Sequence, residues 1–86
     1  MKVFDAYPNP FNPTTLIRIH SESILPSITL SIFNINGQLI KTLQKEPTNA
    51  NRMDIKWDGS RNSSGVYFIK IDWLGRSKTQ KITLLN

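Results

Sequence analysis

Between Arg52 and Asp72 apolar residues fall on every second position twice over, with a glycine-bounded corner in the middle. This pattern limits what the chain can fold into more than any other. Met53, Ile55 and Trp57 alternate with Asp54, Lys56 and Asp58, and after Val66 the residues Tyr67, Ile69 and Ile71 keep the same spacing. A period of two puts one set of side chains on one face of a strand and the other set on the opposite face. Asp58-Gly59 breaks the first run and Asn62-Ser63-Ser64-Gly65 prolongs the break; these residue types turn a chain through local side-chain hydrogen bonds or positive φ. A Trp closing one strand and a Tyr opening the next, across such a corner, predict two sheets packed face to face. The Tyr67 ring is then expected in the core, with its hydroxyl returned to the corner backbone as in a tyrosine corner.

The rest of the chain follows the same rule. Val3 to Tyr7 predicts a short edge strand. Pro8-Asn9-Pro10-Phe11-Asn12-Pro13 has three prolines in six residues, so it lacks donors and is held extended. It predicts a stiff crossing anchored by Phe11 and Tyr7. Thr14 to His20 reads as a strand with Ile17 and Ile19 inward and His20 at the surface, and Ser21 to Pro26 as a turn. Ile28, Leu30 and Ile32 share one face of the next strand, and Asn34-Ile35-Asn36-Gly37 forms a hairpin, since Asn-Gly favours positive φ. Gln38 to Leu43 returns as its partner, Gln44 to Asn51 is a loop, and Trp73-Leu74-Gly75-Arg76 is a second hairpin turn. Ser77 to Leu85 closes the fold with Ile82 and Leu84 inward. The result is an all-β chain of about seven strands, with turn signals every 8–12 residues or so, as in an antiparallel sandwich. No stretch has a helical period.

A chain of 86 residues is expected to be a single domain, 1–86, with 1–6 as a linker or edge strand. Its size allows about 60–65% of the unfolded surface to be buried, and with no cysteine neither a disulfide nor a thiolate site adds to that. The net charge of +5 invites a nucleic-acid partner. However, Lys and Arg are scattered singly along polar strand positions, which indicates solvated faces and no nucleic-acid partner. No segment reaches the ~20 apolar residues of a membrane span, so membrane insertion is not expected. Met1-Lys2 is followed by Val-Phe-Asp rather than an apolar run, which places any export leader outside the stretch. His20 is the only histidine, the six acidic residues stand singly, and there is no nucleophile elbow, phosphate loop or calcium loop. The expectation is therefore no enzyme, no metal and no cofactor. Asn62-Ser63-Ser64 matches a glycosylation acceptor. Trp73 at a hairpin tip, with Phe68 or Phe33 beside it, is the one candidate platform for stacking a sugar.

Three separated motifs, in order, carry a family resemblance. They are Tyr7-Pro8-Asn9-Pro10-Phe11-Asn12-Pro13-Thr14-Thr15; Phe33-Asn34-Ile35-Asn36-Gly37-Gln38; and Trp57-Asp58-Gly59 with Ser64-Gly65-Val66-Tyr67-Phe68 and a terminal Lys81-Ile82-Thr83-Leu84-Leu85. From Tyr7 to Leu85 the chain resembles the type A C-terminal sorting domain (the Por secretion tail family) of the type IX secretion system of Bacteroidota and related bacteria. The resemblance implies an immunoglobulin-like β-sandwich and a non-catalytic signal that directs an N-terminally fused cargo through the outer-membrane translocon. A surface sortase would then remove the domain or use it for attachment. It implies an exported protein, in the periplasm in transit and then at the cell surface or outside the cell. By position it places partner recognition at Pro8, Asn9 and Pro10; at Gly65 and Tyr67; and at Lys81, Ile82, Leu84 and Leu85. Of these only Lys81 and the terminal residues lack a clear folding role, and strand addition at the open edge of the closing strand is the expected contact. The chain ends on Asn86, where family members often end on Lys or Arg. Two alternatives stand beside this reading: a carbohydrate-binding accessory module of a secreted enzyme, and a structural immunoglobulin-like module similar to those of flagellar hook-capping proteins.

Overall fold

The computed structural model describes every residue from Met1 to Asn86. It contains no helix and seven strands: β1 (Lys2–Val3), β2 (Thr14–His20), β3 (Ile28–Asn34), β4 (Leu39–Lys45), β5 (Arg52–Asp58), β6 (Gly65–Trp73) and β7 (Arg76–Leu84). They form two antiparallel sheets, ordered β1-β2-β5 and β4-β3-β6-β7.

Alternation sets the layering. One sheet turns Ile17, Ile19, Ile55 and Trp57 inward, and the other contributes Ile28, Leu30, Ile32, Tyr67, Ile69, Ile71, Ile82 and Leu84. Full burial of each aliphatic side chain is worth about 1.5–3 kcal/mol. These residues therefore supply most of the force that orders so small a chain. Slipping any strand by one residue would move its apolar set to solvent, which fixes the register.

Both hairpins form where expected, by different geometries. Between β3 and β4 only Gly37 has positive φ (+80°). Its N–H donates to the Asn34 carbonyl at 3.0 Å, and the Asn34 side-chain oxygen accepts the N–H groups of Asn36 and Gln38, each at 3.0 Å. The turn is thus a three-residue loop with glycine at its last position. Between β6 and β7 both central residues have positive φ, Leu74 at +44° and Gly75 at +73°.

Some segments differ from the sequence expectation. The first strand is only Lys2–Val3, and Tyr7 makes an isolated bridge to Leu16 instead of extending it. Tyr7 is 79% exposed, so it does not anchor the proline segment; Phe11, at 1%, does so together with Ala6 and Val3. The turn after β2 contains a core residue, Leu25, held by a bridge to Thr48 in the loop before β5. A lone leucine between turn residues has no periodicity to reveal it.

Candidate functional site

The segment from Val3 to Pro13 starts in the three-stranded sheet and ends on the free edge of β7. Val3 pairs with Ile19, the Phe4 N–H donates to the Arg18 carbonyl at 2.9 Å, and Tyr7 exchanges two hydrogen bonds with Leu16 at 3.0 Å. The chain then crosses the gap between the sheets. Prolines cannot donate to β7, and the Asn9 side chain takes the place of a peptide group. Its Nδ2 donates to the Lys81 carbonyl and its Oδ1 accepts the Thr83 N–H, both at 3.0 Å. Phe11 completes the seam: its N–H donates to the Thr83 carbonyl and its carbonyl accepts the Leu85 N–H, both at 2.9 Å.

Side chains of β7 reach back to the same segment. Lys78 Nζ donates to the Val3 carbonyl at 2.7 Å, Gln80 Nε2 donates to the Phe4 carbonyl at 2.8 Å, and Gln80 Oε1 accepts the Ala6 N–H at 2.7 Å. These polar residues sit at inward positions of β7, where the alternation calls for apolar ones. That break in pattern is the one sequence signal for a strap lying beside this strand. Below the strap, Phe11 tilts against Trp57 at 5.6 Å between ring centroids. Gly59 belongs to this packing as well as to the turn. A Cβ there would stand 3.1 Å from a Leu84 methyl and 3.5 Å from the Phe11 ring.

The corner between β5 and β6 lies at the C-terminal end of β7. Tyr67 is 6% exposed, meets Trp57 edge-on at 5.4 Å, and its hydroxyl donates to the Ser63 carbonyl at 2.6 Å. The tyrosine corner is therefore formed. Gly65 stands at φ +147°, and a Cβ there would meet no atom within 4 Å, so a side chain is opposed by the backbone and not by crowding. Gly65→Val is expected to destabilise the domain by about 1–3 kcal/mol, read as a lower urea midpoint; an unchanged midpoint would mean that the corner tolerates a side chain at this position.

Two carboxylates nearby tie stability to pH. Asp58 lies below its ordinary range, first because it accepts the Ser60 N–H at 2.9 Å and then through the Ser60 hydroxyl, with Lys56 and Lys41 adding smaller effects. Asp54 is lowered by its two-pronged hydrogen bonding to Arg18, at 2.9 and 3.2 Å. A depressed carboxylate stabilises the fold above its unfolded pKa, about 4, and that gain is lost as pH falls through the lower folded value. Melting temperature should therefore be level above about pH 5 and decline in acid below about pH 4, with a shallower decline in Asp58→Asn.

The residues singled out in the sequence divide cleanly. Pro8, Asn9, Pro10 and Lys81 are exposed, as is Leu85 at 52%, and the strap brings all five to one flank although they come from opposite ends of the chain. Ile82 and Leu84 are 0% exposed and lie in the core with Tyr67, so they shape this flank from beneath. Gly65 stands opposite Leu84 in the register. The end of the chain does have a folding role, contrary to the sequence expectation. Asn86 donates its N–H to Ser64 Oγ at 2.8 Å and its carbonyl accepts the Ser64 hydroxyl at 2.9 Å. Its side-chain amide donates to the carbonyls of Ser60 and Asn62 at 3.1 and 2.7 Å. Nothing in the local sequence pairs Ser64 with a residue 22 positions away.

Trp73 is half-buried and packs on the core, and the exposed tip residue is Leu74 at 80%. Phe33 and Phe68 face each other across β3 and β6, also half-buried. Each of the three rings considered for a sugar platform is therefore partly covered, and the most exposed residue at the hairpin tip is not an aromatic one.

The family model described as the secretion system C-terminal sorting domain matches residues 5–84. No curated protein matches the chain.

Proposed function

We propose, from the premise that this chain belongs to the secretion system C-terminal sorting domain family, that it acts as a folded, non-catalytic address on an exported protein. The match takes in all but a few residues at each end and supports a type IX secretion sorting signal. On this reading a cargo protein is fused at the N-terminal side, the outer-membrane translocon reads the domain, and a surface sortase removes it or uses it for attachment. The protein passes through the periplasm to the cell surface or beyond.

The observation that carries the reading is the flank on which both chain ends meet. Asn9 is hydrogen-bonded to Lys81 and Thr83 and Phe11 to Thr83 and Leu85, with Pro8 and Pro10 flanking Asn9. A receptor that met this surface would read a conformation and not a linear tail, and only a folded domain would display it.

The test fuses residues 1–86 to the C-terminus of a periplasmic reporter in a bacterium with a working type IX system. Reporter activity should reach the cell surface or medium with the fusion and remain periplasmic without it. Retention of both, in cells that export a control cargo, would reject the sorting role and favour the accessory-module alternative.

A further inference from the structure

β7 is strapped along only part of its free edge. In an antiparallel ladder the N–H and C=O of one residue point to the same side. Thr83 N–H and C=O, the Lys81 carbonyl and the Leu85 N–H all turn away from β6 and toward the strap. The odd-numbered residues of β7 therefore face outward, and Ser77 and Thr79 share that direction. The strap leaves the edge at Asn9 and crosses to Leu16 and Arg18. It makes no hydrogen bond to the backbone of Ser77 or Thr79, or to the Lys81 N–H. Ser77, Thr79 and Lys81 are exposed. The expected open edge of the closing strand thus exists in its first half only, since the second half is occupied by the strap.

This half-edge is built to accept a strand. Its register with β6 is unbroken from Trp73↔Arg76 to Gly65↔Leu84. β4, the other edge of the same sheet, has a register break at Ile32/Phe33 and sets Lys41 and Lys45 opposite core residues Ile32 and Ile28. Bulges and inward charges are the devices that block strand addition. The Ser77–Lys81 stretch has no bulge, and its one inward charge, Lys78, is bonded to the Val3 carbonyl. Its surroundings are basic: Arg76, Lys78, Lys81 and Lys70, which stands opposite Thr79, against Asp5 and Asp72.

We infer that the Ser77–Lys81 edge of β7 is the docking edge for an extended, acidic segment of the sorting machinery, which joins the four-stranded sheet as an added strand. Main-chain hydrogen bonds to Ser77, Thr79 and the Lys81 N–H supply the pairing, and the cations select the acidic strand. The inference rests on the sorting role proposed above and names the partner's chemistry.

Thr79→Pro tests it. The Thr79 N–H faces outward, so proline there removes no ladder bond to β6 but deletes a docking donor and obstructs an incoming strand. In the reporter assay, purified Thr79→Pro fusion should show a folded far-UV spectrum and a cooperative melt, yet surface delivery should fall at least tenfold. Thr79→Val should be delivered like the parent. The double variant Arg76→Glu/Lys81→Glu should lose delivery to a similar extent. Parental delivery of folded Thr79→Pro overturns the docking edge, and parental delivery of the charge-reversed variant overturns the acidic partner. Should Thr79→Pro fail to fold, the charge-reversed variant decides alone. Failure of the parent fusion itself rejects the sorting role, a distinct result.

Discussion

Cutting the chain after Gln80 is expected to unfold it, not to clip a free tail. The deletion removes Ile82 and Leu84, both 0% exposed, and trimming one such residue to alanine already costs about 2–5 kcal/mol. It also removes both main-chain bonds to Phe11, the Thr83 N–H that Asn9 accepts, and the whole Asn86 network over the corner. At about 0.05–0.15 kcal/mol per residue, a domain of this length holds roughly 4–13 kcal/mol in total. The losses equal or exceed that reserve. The truncated chain should show no cooperative melt and no urea transition, while deletion of Asn86 alone should retain both. A truncation that still melted cooperatively would mean that β7 contributes far less to the core than its burial indicates. The consequence for export work is direct: loss of delivery after such a cut reports lost folding, so the signal is better mapped with point variants that keep the domain folded.

Phe11→Ala is the single substitution expected to matter most. Phe11 is 1% exposed, rests on Trp57, and lies over Gly59 beside Leu84. Phenylalanine-to-alanine changes in cores cost about 3–5 kcal/mol, which at about 4–8 °C per kcal/mol lowers the melting temperature by some 12–40 °C in a domain of this size. The effect should extend beyond stability. Without the ring to seat it, the strap is held on β7 only by hydrogen bonds: the two main-chain bonds at position 11, the Asn9 amide, and the Gln80 and Lys78 side chains. Amide hydrogen exchange at Thr83 and Leu85, whose N–H groups donate to the strap, should rise more than exchange at Ile69 and Ile71 in the sheet centre. Uniform acceleration across the sheet would show instead that the strap and the core open together.

The sheet pattern was legible in the sequence because a strand's two faces are written into adjacent residues. Ile28, Leu30 and Ile32, or Tyr67, Ile69 and Ile71, could hardly be placed otherwise. The tyrosine corner was legible for the same local reason: Ser63 and Tyr67 are four residues apart, and Gly65 lies between them. The match of the sequence motifs to one family likewise needed no coordinates.

What the tertiary structure decided is how the two ends of the chain meet. Asn9 and Lys81 are 72 positions apart, and no short-range rule makes an asparagine between prolines the hydrogen-bonding surrogate for a strand. Gln80 and Lys78 interrupt an apolar face, and what they bond to is settled only when the Val3–Ala6 backbone lies beside them. Asn86 reads as the end of a tail until Ser64 is next to it. Alternation is a property of neighbours and determined which residues go inside. The pairing of distant segments depends on which backbone donors and acceptors are left over once the sheets have formed, and that inventory exists only in the folded chain.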